Sequence, residues 1–159
     1  MQLIFFRHGP AGSKSEWQGT DAERPLTDDG RTVVQQVAAL LSRADLTIDA
    51  VLSSPLARAH QTAEIAASTL GCPERLADDE RLAHGFDRKR LAAIVAEHDG
   101  AQTLMLVGHE PEFSAVIGQL TGGAVVVKKA GVARVDLDEQ TMRGTLVWLL
   151  PPRVFGPER

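Results

Sequence analysis

Asparagine is missing from the chain altogether, and cysteine occurs once, at Cys72, directly before Pro73. Without asparagine there is no N-glycosylation sequon. A single thiol cannot close an internal disulfide, which fits a reducing compartment and leaves Cys72 as a structural or incidental thiol. A basic excess is lacking too: 17 Lys+Arg stand against 21 Asp+Glu, a formal net charge of −4. The electrostatic footprint of a nucleic-acid binder is therefore not there. No apolar run approaches the ~20 residues of a membrane span. The N-terminus has no basic segment ahead of its short apolar stretch, which argues against a signal peptide. These absences make a cytoplasmic location, without membrane or nucleic acid, the expectation. Any anion site must be a local cluster of cations in an acidic protein.

What is present is ordinary in bulk. The 159 residues are 43% hydrophobic and 24% charged, enough for one domain with a substantial core and too few for two. A single domain over residues 1–159 is expected, with 150–159 as a tail, and neither repeats nor low-complexity segments interrupt it.

The chemistry-bearing residues gather where apolar runs stop. Leu3-Ile4-Phe5-Phe6 reads as a buried strand that ends in Arg7-His8-Gly9-Pro10. In open parallel α/β sheets, ligands bind outside the carboxyl ends of the strands. The polar stretch from Ala11 to Pro25 is long for a loop inside a compact domain and reads as a flap; Trp17 is either its anchor or a packing residue. Thr27-Asp28-Asp29 opens a helix with a capping Thr and dipole-compatible acids. Val33, Val34, Val37, Leu40 and Leu41 give that helix its apolar face. The next strand, Asp49 to Ser53, runs into Ser54-Pro55, read as a helix start because proline is tolerated in the first turn. Arg58 follows in that turn, placed either to hold an anion at the helix N-terminus or to pair with Glu64. The helix is expected to run to Gly71.

Arg75 to Leu82 is a mixed extended stretch or loop. A helix from about Asp87 carries Leu91, Ile94 and Val95, with His98 at its end as a structural residue. Thr103 to Val107 is a continuous apolar strand, as expected for one covered on both faces. It ends in Gly108-His109-Glu110-Pro111 before a helix bearing Phe113, Val116, Ile117 and Leu120. Val132 to Leu137 and Gly144 to Leu150 read as an antiparallel pair at a sheet edge.

Parallel strands would bring Arg7, His8, Arg58 and His109 to one rim. Two fixed guanidiniums repel a metal cation, so a metal site is disfavoured. The same set suits a phosphoryl group, with spread negative charge and several oxygens.

Arg7-His8-Gly9, Ser53-Ser54-Pro55 with Arg58 and Gln61-Thr62-Ala63, and Gly108-His109-Glu110 together resemble the signatures of the histidine phosphatase superfamily, the phosphoglycerate-mutase-like group. The short length, Arg24-Pro25-Leu26-Thr27, Lys128-Lys129-Ala130-Gly131 and Trp148 to Pro152 are similar to its SixA-type branch of protein phosphohistidine phosphatases. The resemblance implies a three-layer α/β/α fold, with a mostly parallel central sheet and an antiparallel edge. It implies His8 as nucleophile, attacking phosphorus to form a phosphohistidine intermediate that water hydrolyses. Arg7, Arg58 and His109 would bind the phosphoryl oxygens, with neither metal nor cofactor. The partner would be a phosphohistidine-bearing protein such as a histidine phosphotransfer domain, and inorganic phosphate the product.

Many members of the superfamily carry a carboxylic acid near the position of Glu80, which makes Glu80 a possible proton donor. The surrounding residues match the mutase pattern poorly, and a salt bridge with Arg81 is the competing reading. The SixA-type branch is understood to work without a dedicated acid. His60 and His84 are read as structural or solvated. Two other functions fit the same residues: a small-molecule phosphomonoesterase or mutase, and a non-catalytic phosphate-binding module.

Overall fold

In the computed structural model, residues 1–155 are described. A six-stranded sheet in the order β3-β2-β4-β1-β5-β6 forms the middle layer. Its strands are β1 (Gln2–Arg7), β2 (Ala50–Ser53), β3 (Leu76–Asp78), β4 (Thr103–Gly108), β5 (Val132–Asp138) and β6 (Arg143–Leu150). The pairs β1·β4, β4·β2 and β2·β3 are parallel. The pairs β1·β5 and β5·β6 are antiparallel, so the mostly parallel sheet has the antiparallel edge expected of it.

β1 lies between β4 and β5, and Leu3 to Phe6 are fully buried. Successive side chains of a strand point to opposite faces, and the core divides accordingly. Leu3 and Phe5 pack with Leu104 and Leu106 against α3 (Arg88–Glu97) and α4 (Glu112–Thr121). Phe113 of α4 meets Phe5 edge-on at 5.2 Å and Phe86 at 5.8 Å, geometries that suit the ring quadrupoles. Ile4 and Phe6 pack with Met105 and Val107 against α1 (Asp28–Leu41) and α2 (Ala57–Thr69). Three layers result, as the resemblance implied.

Helix starts follow local chemistry. The Thr27 hydroxyl accepts the Gly30 amide at 2.9 Å, and the Asp87 carboxylate accepts the Arg90 amide at 2.8 Å. α2 begins later than the sequence suggested. Ser54-Pro55 is not its first turn; the helix starts at Ala57, with extended Leu56 before it. Its end matches expectation, because Gly71 takes the left-handed φ of +73° that glycine adopts without strain. The mixed stretch after Arg75 holds the three-residue edge strand β3 and then one 3-10 turn, Glu80–Leu82. The expected tail contains a 3-10 turn at Pro152–Phe155, and residues 156–159 lie outside the described residues. Among the described residues, no helix is long and apolar enough to cross a membrane.

Candidate active site

The parallel register places Arg7 beside Gly108 and Ser53 beside Val107. The residues that follow, His8, Ser54 and His109, therefore leave the sheet on one rim. α2 begins three residues after Ser54 and delivers Arg58 in its first turn.

The backbone around His8 is held from several sides. Its amide donates to the Gly108 carbonyl and its carbonyl accepts the Ala130 amide, both at 3.0 Å. The Gly9 amide donates to the Thr62 hydroxyl at 3.0 Å, and that hydroxyl donates to the Arg58 carbonyl at 2.7 Å. Gln61 accepts the Leu26 amide at 2.9 Å, anchoring the far end of the Ala11–Pro25 segment. Arg7 donates to the Val127 carbonyl at 2.9 Å.

His8 Nδ1 lies 2.7 Å from the Gly9 carbonyl. A carbonyl only accepts, so Nδ1 carries the proton and Nε2 keeps its lone pair. Burial pushes His8 down to about 4; the Gly9 bond opposes that, and the charges of Arg58, Arg7 and Lys129 add to it. His109, its ring 5.2 Å from that of His8, is pushed to about 3 by burial first and then by His8, Arg58 and His84, with Asp21 opposing. Both rings are therefore neutral at pH 7.

The arginines are depressed by burial but remain cations, because guanidinium does not deprotonate in proteins. Arg58 is 3% exposed, and both of its terminal nitrogens go to Asp21: one to the backbone carbonyl at 2.9 Å, the other to the carboxylate at 3.1 Å. Burial raises the Asp21 carboxyl, but Arg24 and Arg58 outweigh that and hold it below its usual range. Among the described residues, three buried donor-side atoms have no protein partner: Arg7 Nε, Arg58 Nε and His109 Nδ1. Buried polar atoms are almost always satisfied. Orphans on two cations and an imidazole, grouped about one neutral histidine, are chemically suited to an anion. Among the described residues there is no cluster of His, Cys, Asp and Glu suited to hold a metal.

The family model described as the histidine phosphatase superfamily (branch 1) matches residues 3–84. The chain belongs to the histidine phosphatase superfamily. Membership places it among phosphatases and hydrolases. An uncharacterized protein of Picosynechococcus sp. is 34% identical, over 95% of this chain and 100% of its own. The phosphohistidine phosphatase SixA of Escherichia coli K12 is 28% identical, over 96% of this chain and 94% of its own. A solved structure of the protein histidine phosphatase SixA complexed with tungstate superposes with a TM-score of 0.89 at 27% identity, covering 98% of this chain and 100% of that one.

Four sequence-derived candidates, Arg7, His8, Arg58 and His109, thus gather at one rim of the sheet. Arg58 pairs with Asp21 and not with Glu64, which lies 3.4 Å from His60 instead. Glu80 is exposed, and its carboxylate makes no hydrogen bond or ion pair among the described residues; only its backbone carbonyl is used, accepting the Ala83 amide at 3.2 Å. Its expected salt bridge is absent because Arg81 turns to Asp79 and Glu97, at 2.7 and 2.6 Å.

Three further residues, Asp21, Ser54 and His84, reach the same rim with no site signal of their own in the sequence. Asp21 comes from the flap, where loop length was the only signal. Ser54 stands where the sequence predicts a helix start, yet its hydroxyl lies 2.8 Å from His109 Nε2. His84 is 62% exposed, and its ring lies 5.1 Å from that of His109, with Asp21 and Glu112 carboxylates 3.8 and 3.9 Å away. Nothing local in Ala83-His84-Gly85 announces that contact; Leu82 just before them is fully buried in the core.

The depressed histidines make a stability prediction. Unfolded, both imidazoles titrate near 6.5; folded, they resist protonation until about 4 and 3. Below pH 6.5 the unfolded chain binds more protons, so stability falls as pH drops. Melting temperature is expected to decline between pH 7 and 4.5, and to decline less in the double variant His8→Gln/His109→Gln. An equal decline in both would place the acid sensitivity elsewhere.

Proposed function

We infer that the chain removes the phosphoryl group from phosphohistidine on a partner protein, through a covalent intermediate on His8. The observation that carries this is the trio of orphaned donors, Arg7 Nε, Arg58 Nε and His109 Nδ1, around a histidine whose tautomer leaves Nε2 unprotonated. A binding module would need the donors but not the exposed lone pair.

In the first step, His8 Nε2 forms a bond to phosphorus as the substrate's P–N bond breaks. The arginines and His109 stabilise charge on the phosphoryl oxygens. The leaving imidazole takes its proton from solvent. In the second step, water attacks the phosphohistidine, releasing inorganic phosphate and restoring His8. Imidazole, with a reference pKa near 6.5, departs far more readily than an alkoxide. A dedicated acid is therefore dispensable for this substrate, and Glu80, exposed and unpaired, is not required as one. The similarity to SixA proteins over nearly the whole chain supports the same reading. The chain is expected to need no metal or cofactor and to act in the cytoplasm.

The test is a substrate panel. A phosphohistidine-bearing phosphotransfer domain should be hydrolysed at rates well above those for sugar or glycerate phosphates, and Glu80→Gln should leave that turnover essentially unchanged. Faster cleavage of phosphomonoesters, abolished by Glu80→Gln, would replace this reading with a small-molecule phosphatase.

A further inference from the structure

Ser54 is fully buried, and its hydroxyl makes two contacts: it accepts the Leu56 amide at 3.3 Å and lies 2.8 Å from His109 Nε2. Proton direction in the second contact follows by elimination. If His109 donated from Nε2, the Ser54 hydroxyl would accept twice, and its own hydrogen would be buried without an acceptor. Buried polar hydrogens rarely go unpaired. If Ser54 donates, its hydrogen is placed, Nε2 accepts, and the single proton of the neutral ring sits on Nδ1. That is the nitrogen without a protein partner.

We propose that Ser54 is a positioning residue that holds His109 in the Nδ1–H tautomer, so that His109 meets a phosphoryl oxygen as a neutral hydrogen-bond donor. The proposal rests on the reading of the pocket as a phosphoryl site. In the other tautomer, Nδ1 would present a lone pair to an anion and repel it. The pocket then shows two neutral imidazoles with opposite faces. His8, locked by the Gly9 carbonyl, offers a lone pair to phosphorus; His109, locked by the Ser54 hydroxyl, offers a proton to oxygen. The main-chain bend at Ser54-Pro55-Leu56, which delays α2 to Ala57, turns the hydroxyl toward the rim.

The experiment is nitrogen-15 NMR of histidine side chains in the full-length resting enzyme at neutral pH, with His109 assigned by its loss in His109→Gln. Wild type should show an unprotonated, hydrogen-bonded Nε2 and a protonated Nδ1. Ser54→Ala should lose that Nε2 signature while His8 keeps its own. Its kcat on a phosphohistidine protein should fall about 10- to 100-fold, the scale of losing one hydrogen bond to a charged group, with a smaller change in KM. Ser54→Thr, which keeps the hydroxyl, should restore most of the loss.

A proton on His109 Nε2 in wild type overturns the proposal, and needs no variant to fold. Unchanged spectra and kcat in Ser54→Ala also overturn it. An inactive wild type with the expected tautomer would overturn the phosphatase reading and leave the Ser54 assignment supported.

Discussion

His8→Ala is expected to lower turnover of a phosphohistidine protein by about a thousandfold or more, the scale on which removing a nucleophile acts. An acid-labile phosphoenzyme is expected in wild type and should be missing from the variant. The variant should still fold, since His8 contributes one side-chain hydrogen bond, to its neighbour Gly9. It should also still bind inorganic phosphate, because the orphaned donors belong to Arg7, Arg58 and His109. Separating binding from turnover decides between functions. A module that only recognises phosphorylated partners would bind equally with or without His8 and would never become phosphorylated. Retained turnover in His8→Ala would show that another group attacks phosphorus, and the tautomer lock at Gly9 would then have no catalytic meaning.

The acidic limb of kcat/KM supplies a companion result. That parameter reports the free enzyme, in which His8 titrates at about 4. Activity should hold from neutral pH down to about pH 5 and fall as pH drops through 4, where Nε2 acquires a proton and its lone pair is lost. A limb centred near 6.5 would mean a nucleophile in bulk-like water, contrary to a His8 that is 7% exposed and feels the charges of Arg58 and Arg7.

The residues that sequence reasoning found are those whose signal is local. Leu3 to Phe6 and Thr103 to Val107 are continuous apolar runs, and strands covered on both faces must be apolar at every position. Arg7, His8 and His109 stand at the ends of those runs, so strand parallelism alone brings them together. Asp21, Ser54 and His84 reach the pocket by another route. Asp21 depends on how a long flap folds back, through Arg24 donating to the Gly12 carbonyl at 2.7 Å and Gln61 holding Leu26. Ser54 satisfied a helix-start rule, yet a better partner for its hydroxyl lay 55 positions away at His109. Ser-Pro suits both a first helical turn and an extended bend, and here tertiary contacts choose the bend. The pairing of Arg81 with Asp79 and Glu97 is similar. Only the fold brings Glu97, at the end of α3, opposite the Glu80–Leu82 turn.

Gly30→Ala should be among the most destabilising single-methyl changes in the chain, although a propensity argument predicts the reverse sign. Gly30 occupies the first turn of α1, where alanine would raise helix propensity by up to about 1 kcal/mol. A Cβ there would stand 2.0 Å from the Pro10 carbonyl oxygen and 3.0 Å from its carbon. That oxygen cannot swing aside as a flexible side chain would. The Thr27 amide donates to it at 3.0 Å, while the Thr27 hydroxyl caps Gly30 at 2.9 Å. Either α1 moves away from the sheet or the His8-Gly9-Pro10 turn moves away from α1. Overpacking of this kind costs about 1–3 kcal/mol or more. Against the propensity gain, a net loss of about 2 kcal/mol is expected, lowering the melting temperature by roughly 4–8 °C in a chain of this size. Because the yielding segment carries His8, kcat should fall with stability, whereas Gly100→Ala, at a glycine with open space around its Cβ position but a φ of +88°, should cost stability alone. A Gly30→Ala protein that melts no lower than wild type would mean that the turn after β1 and the start of α1 are not in contact, and that His8 is held in place by the sheet side of the pocket only.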